Sequence, residues 1–238
     1  MNNGVVLIAS MSTAYYDSAV RCAVSIKDYS PKTNITLFTH AEFMKERDMK
    51  YFDHISFDIP YHRRAKMKGM FMSPYDITAY LDADMEVMSP EFNNIFDYFE
   101  DNEIMLTNIR EHVSKEVYID KSKTLKMQYH GGFMLYKKNE NTMKLLKNWY
   151  EEFLIQDKSE WNYSDYFPSM KRWDQFTLWR LLKESEYKYK IGIMPDDYRW
   201  NYIWLYDIKG ADGDKSPIIY HHTIPDRIVH AGYIKHKS

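Results

Sequence analysis

The sequence predicts one α/β domain over residues 1–238, with a mostly parallel central sheet and helices on both faces. Three observations lead there. Short apolar runs rich in β-branched residues alternate with longer segments of helical period, the pattern of successive β-α units. A chain of 238 residues buries most of a continuous core without having to split in two. With 45% hydrophobic residues, 16% aromatics and only eight Gly and eight Pro, the composition is that of a packed globular chain, which excludes disorder, collagen-like repeats and low complexity.

Val5 to Ala9 is the first strand, a continuous run that suits burial on both sides. Ser10 to Thr13 offer turn and cap residues for a helix from about Tyr15 to Tyr29, stopped by Ser30-Pro31. Ile35 to Thr39 is the second strand, Ala41 to Lys50 the helix after it, and His54 to Ile59 a third strand before Pro60. A basic, Met-rich segment, His62 to Met72, precedes strand Ile77 to Leu81, and a helix from Pro90 to Glu100 leads to strand Ile104 to Asn108. Gly131 to Tyr136 reads as a strand entered through a tight turn, and Asn139 to Leu154 as an amphipathic helix. A helix from Asp174 to Glu184 and short strands at Lys190 to Met194 and Ile218 to His221 complete the elements.

Charge narrows the function classes. Thirty-two Lys+Arg against 34 Asp+Glu leave a net charge of -2, which argues against a dedicated nucleic-acid or anionic-membrane binder. The basic clusters at His62 to Lys68 and Lys115 to Lys126 read as solvated surface. Cys22 is the sole cysteine, so there is no internal disulfide and no multi-Cys zinc site. The longest clean apolar run near the N-terminus is Val5 to Ala9, far short of the roughly 20 residues of a membrane span. The chain therefore reads as soluble and cytoplasmic.

Asp82 and Asp84, at the carboxyl end of the Ile77 to Leu81 strand, are the most informative residues. Positions i and i+2 of an extended chain project to one side, so both carboxylates can meet one cation. Ligands of open α/β sheets bind beyond the carboxyl ends of the strands. Hard oxygen donors select Mg²⁺ or Mn²⁺ with positions open for substrate phosphates. The competing reading is a pair of acids that merely caps a strand and opens a turn.

The run Tyr75-Asp76-Ile77-Thr78-Ala79-Tyr80-Leu81-Asp82-Ala83-Asp84-Met85-Glu86-Val87-Met88 resembles the signature of GT-A nucleotide-sugar glycosyltransferases, above all glycogenin and the family 8 bacterial galactosyltransferases. The resemblance implies a Rossmann-like GT-A domain, with a nucleotide-binding half over about 1–108 and an acceptor half over about 109–238. It implies that Lys66, sixteen residues before Asp82, contacts the donor, and that the turn Ala9 to Thr13 holds the nucleoside. His130-Gly131-Gly132-Phe133-Met134 stands where the family has a small-residue turn beside the donor sugar, and Trp173-Asp174-Gln175 where it has Asp-Gln at a helix start. A His in a C-terminal strand is the family's third metal ligand, followed six residues later by a basic group: here His221 and Arg227, with His222 as the alternative by register.

Carried over residue by residue, the metal Mn²⁺ (or Mg²⁺) would be held by Asp82, Asp84 and His221. Ala9, Ser10, Thr13, Lys66, Asp82, Ala83, Asp84, Gly131, Gly132 and Arg227 would line the donor, and Asp174 and Gln175 would be catalytic. The partners implied are a nucleotide-sugar, with UDP the expected nucleotide, and a glycan or other hydroxyl acceptor. Family relatives retain anomeric configuration; inversion would instead need a carboxylate base, with Asp174, Asp196 and Asp197 as candidates. Loop aromatics, Trp161, Tyr163, Tyr166, Tyr198, Trp200 and Trp204, serve either as stacking platforms for a sugar or as core. A haloacid-dehalogenase-type phosphatase also uses D-x-D after a strand but wants Thr or Val where Glu86 stands. A nucleotidyltransferase wants a Gly-rich loop where Ser10 to Thr13 has none. A catalytically inactive carbohydrate-binding or scaffolding protein would share the fold.

Overall fold

The computed structural model describes residues 1–108, 120–122, 129–160, 162–184, 189–203 and 216–222. In chain order its elements are β1 (Asn3–Ile8), α1 (Thr13–Tyr29), β2 (Asn34–Phe38), β3 (His54–Ser56), α2 (Lys66–Phe71), β4 (Ile77–Leu81), β5 (Met85–Val87), β6 (Ile104–Asn108), β7 (Tyr129–Lys137), α3 (Glu140–Lys158), α4 (Asp174–Glu184), β8 (Ile191–Ile193), α5 (Asp197–Trp200), β9 (Tyr202–Ile203) and β10 (Ile219–His221). Strand β1 shows why its run is apolar at every position. Val5 and Leu7 enter one core, and Val6 and Ile8 the other, because successive strand residues point to opposite faces. Each such side chain contributes roughly 1.5–3 kcal/mol when fully withdrawn from water.

The main sheet has the order β3-β2-β1-β4-β7-β6-β8. Every strand runs the same way except β7, which pairs antiparallel with both β4 and β6. On one face α1 buries Tyr16, Ala19, Cys22, Ala23 and Ile26, a helical stripe packed on Val5 and Leu7. The Ser12 hydroxyl accepts from the Tyr15 N–H at its start. On the other face, Met67 and Met70 of α2, Leu145, Leu146, Trp149 and Phe153 of α3, and Leu178 of α4 share one cluster with Val6, Ile8, Tyr80 and Leu106. Helix α3 is capped by Asn139 Oδ1, which accepts from the Thr142 N–H at 2.8 Å. Among the described residues no helix is long and apolar enough to cross a membrane.

Four local expectations need correction. Residues 41–50 form two 3₁₀ turns, Ala41–Phe43 and Glu46–Tyr51, with extended backbone at Met44 and Lys45 between them. Tyr16 causes the break: its hydroxyl accepts from the Lys45 N–H at 3.2 Å and donates to Asp48 at 3.2 Å, so a contact from α1 overrides local helix propensity. Residues Pro90–Asp97 are likewise a 3₁₀ segment, and the third strand stops at Ser56. A second sheet, β5-β10-β9, is also present; strands of two or three residues carry no readable period. Finally, β7 begins at Tyr129, so that His130 and Gly131 lie inside the strand. Its pairing with β6 jumps from Leu106↔Met134 to Thr107↔His130, and this bulge displaces Gly131, Gly132 and Phe133 toward β4, where Asp82 N–H donates to Gly132 O at 2.9 Å.

Candidate active site

Strands β1 and β4 are parallel, with Val6 beside Tyr80, so their carboxyl ends open on one edge of the sheet. The chain turns there after β4, Met85 N–H closing onto Asp82 O at 3.0 Å. That turn aims Asp82 and Asp84 at a common point, in place of the extended alternation expected from the sequence. The new strand β5 then pairs with β10, His221 lying opposite Met85, and this short ladder carries His221 back beside the carboxylates. One ligand atom from each of Asp82, Asp84 and His221 lies within 4.8 Å of the others. The alternative, His222, is turned away and pairs through Nε2 with Glu86 at 2.9 Å.

The donor set fits a divalent cation: two carboxylates and an imidazole nitrogen, held from behind. His221 Nδ1 bonds Asn201 Oδ1 at 2.8 Å, and Asn201 Nδ2 donates to Thr107 Oγ1 at 3.0 Å. Because Asn201 Oδ1 only accepts, the proton sits on Nδ1 and Nε2 is left to face Asp84, 3.3 Å away. Burial works against the imidazolium, but Asp84 outweighs it and raises the His221 pKa. Gly132 is required where it stands: a Cβ there would lie 2.8 Å from Asp82 Oδ2 and 3.0 Å from His221 Cε1. Nothing in the sequence singled out Asn201; only the pairing of β9 with β10 brings its neighbourhood to the site.

Beside this cluster lies a buried charge network. Lys66 Nζ is 3.0 Å from Asp174 Oδ2 and 3.5 Å from Asp82 Oδ1, and it donates to Gly131 O at 2.9 Å. Arg64 Nη1 reaches Asp174 Oδ1 at 2.9 Å. Burial would raise the Asp174 pKa, yet Lys66 and Arg64 together hold its carboxyl below the ordinary range. Burial opposes the Lys66 charge in turn, and Asp174 and Asp82 more than restore it. Gln175 Oε1 accepts from the Gly131 N–H at 3.2 Å, so the Asp-Gln pair at the start of α4 meets the bulge of β7. The Tyr80 hydroxyl donates to Asp82 Oδ1.

The predicted residues thus fall into two groups. Lys66, Asp82, Asp84, Gly131, Gly132, Asp174, Gln175 and His221 form one site. Ala9 and Ser10 lie at the end of β1, both buried, and Thr13 is exposed at the start of α1. Ala83 packs into the core. The Ser10 hydroxyl donates to Pro60 O at 2.9 Å and bonds His40 Nε2 at 3.1 Å; His40 in turn packs on Tyr61, whose hydroxyl donates to Met11 O. His40 and Tyr61 were not foreseen, and the aromatic pair lies at the edge where β1 and β2 end. Arg227, Trp161 and Trp204 lie outside the described residues, as does most of Lys115 to Lys126. Of the loop aromatics, Trp200 and Tyr166 pack into clusters.

No protein-family model matches the sequence, and no curated protein matches it. Solved structures do. A galactosyltransferase, LgtC, with donor and acceptor sugar analogues, aligns over 93% of this chain and 87% of its own, with TM-score 0.55 and 16% identity. The glycosyltransferase GlyE of Streptococcus pneumoniae TIGR4 aligns over 94% of this chain and 55% of its own, with TM-score 0.63 and 15% identity. Mouse xyloside xylosyltransferase 1 aligns over 94% of this chain and 98% of its own, with TM-score 0.57 and 10% identity. The chain has the GT-A glycosyltransferase fold. Within that fold the site above occupies the carboxyl edge of the sheet, where β1 and β4 end side by side.

Proposed function

We propose that the chain is a metal-dependent glycosyltransferase that moves a sugar from a nucleotide-sugar, with UDP as the nucleotide, to an acceptor hydroxyl with retention of configuration. The observation that carries this reading is the convergence of Asp82, Asp84 and His221 within 4.8 Å, beside Lys66, Asp174 and Gln175. These three would hold Mn²⁺ or Mg²⁺. When bound, the ion supplies Lewis-acid stabilisation of the diphosphate as the glycosidic bond breaks.

The chain's own residues do the rest. Lys66, held charged between Asp174 and Asp82, faces the leaving group with a fixed positive charge that needs no reorganisation. Asn201 keeps the His221 proton on the nitrogen remote from Asp84. The bulge of β7 and Gln175 form the wall at which the sugar ring would lie, with the nucleoside toward Ser10, Thr13 and the His40–Tyr61 pair. Asp174 is buried and committed to two cations, and Asp197 accepts from the Asn108 N–H at 2.7 Å. Neither of these two is free to act as a general base, and of the three candidates only the exposed Asp196 is left for an inverting mechanism. Arg227 keeps its proposed place on the diphosphate by sequence spacing alone. The division into a nucleotide half and an acceptor half is proposed on the same basis.

The test is incubation with UDP-glucose, UDP-galactose and UDP-xylose plus Mn²⁺, followed by proton NMR of the anomeric signals. Slow release of UDP and a sugar of retained configuration is expected, abolished by EDTA. Binding of UDP without release under any condition would favour the inactive carbohydrate-binding protein instead.

A further inference from the structure

Three basic side chains on the segments that carry Arg64 and Asp174 take no part in the network just described. Arg63 and Arg172 are exposed and Lys171 is half-buried, and among the described residues none of the three makes an ion pair. Arg64 ties their two segments together. Its Nη1 holds Asp174 and its Nη2 reaches the Arg172 carbonyl at 3.5 Å, so the turn before α2 abuts the 3₁₀ segment Pro168–Arg172 directly outside Asp174 and Gln175. The neighbouring cations are already committed: Lys66 and Arg64 to Asp174, and Lys68 to Asp58 at 2.8 Å. Of the nearby acids, Asp174 is buried and Asp157 faces His62 at 4.0 Å. A chain of net charge -2 therefore concentrates three uncompensated positive charges on one rim.

The proposed metal cluster of Asp82, Asp84 and His221 lies at one end of the contact chain Asp82–Lys66–Asp174–Arg64, whereas Arg63 precedes Arg64, and Lys171 and Arg172 precede Asp174, at the other end. We propose that this rim binds an anionic group, a phosphate or a carboxylate, carried by a glycan acceptor; the proposal rests on the glycosyltransferase reading. Guanidinium forks suit both groups, since each presents paired oxygens to parallel N–H donors. Three cations on a short rim are too few to track a nucleic-acid backbone, which calls for a stripe of them.

Isothermal titration of the protein with UDP and Mn²⁺ would compare matched glycans at low ionic strength. One pair is tetragalacturonate and its methyl ester; the other is maltotetraose monophosphate and maltotetraose; a dT12 oligonucleotide is a third arm. At least one charged glycan should bind roughly tenfold tighter than its neutral partner, the effect of three exposed charge pairs together. Which pair shows it separates carboxylate from phosphate. The triple variant R63A/K171A/R172A should lose that preference while UDP binds as in the wild type. Equal binding within both pairs, or a preference that survives in the variant, overturns the proposal. So does dT12 binding as tight as the charged glycan, which would mark a nucleic-acid surface. Charge preference in a wild type that binds no UDP overturns the acceptor role and the donor reading together, whereas UDP binding without charge preference overturns the rim alone.

Discussion

At the scale of single residues, His221 and His222 show how one position decides chemistry. They are neighbours in sequence, yet one joins Asp82 and Asp84 while the other pairs with Glu86. His221→Ala should weaken Mn²⁺-dependent UDP binding tenfold or more, and His222→Ala by less than threefold, the difference between losing a ligand and losing a neighbour. Titration calorimetry checks this, and the reverse ranking would show that the other imidazole meets the metal. Asp174 makes a second prediction. Its carboxyl is held below the ordinary value near 4 by Lys66 and Arg64, so the unfolded chain takes up that proton first as pH falls. The stability it contributes is complete above about pH 4 and is lost below it. Asp174→Asn should cost about 3 kcal/mol at neutral pH, because Arg64 loses its carboxylate and Lys66 keeps only Asp82, 3.5 Å away, in a largely buried place. Urea unfolding at pH 7 and pH 3 should show the gap between variant and wild type narrowing in acid; a constant gap would contradict the assignment.

At the scale of elements, the bulge in β7 does most to build the site. It swings Gly131 and Gly132 under Asp82 and toward Gln175. Gly132→Ala would place a methyl group 2.8 Å from Asp82 Oδ2, so metal-dependent UDP binding should fall at least tenfold with the fold intact by circular dichroism. Unchanged binding would mean that the cluster tolerates displacement and is not the metal site. Elements of long period were legible in the sequence: α1, α4, β4 and β6 lie where the apolar pattern put them. What the sequence hid were features made by contacts distant in the chain. Tyr16 breaks the helix expected at Ala41 to Lys50, and the bulge follows from a competition between β4 and β6 for the same strand. The carboxylate pair was legible because D-x-D is a local pattern, and His221 was implied by the family resemblance; Asn201, Arg64 and the His40–Tyr61 pair were not legible, since each acts through a partner at least 20 residues away and belongs to no motif.

At the scale of the molecule, the architecture explains why these residues meet. Parallel strands β1 and β4 end on one edge, the antiparallel β7 returns beside them, and the small sheet of β5, β9 and β10 closes over Asp84. Four segments spread along the chain from residue 66 to residue 221 thereby supply Lys66, Asp82, Asp174 and His221 to one place. A cation in that place would link the main sheet to the small one and stabilise the folded state by mass action. The most direct measurement is therefore a thermal-shift titration of UDP with Mn²⁺ and with EDTA, on the wild type and on Asp84→Ala. The melting temperature should rise with UDP and Mn²⁺ together, by an amount corresponding to about 2.7 kcal/mol at a hundredfold excess over Kd, and should not rise in EDTA or in the variant. A rise of equal size in EDTA, or in Asp84→Ala, would contradict the metal-site assignment.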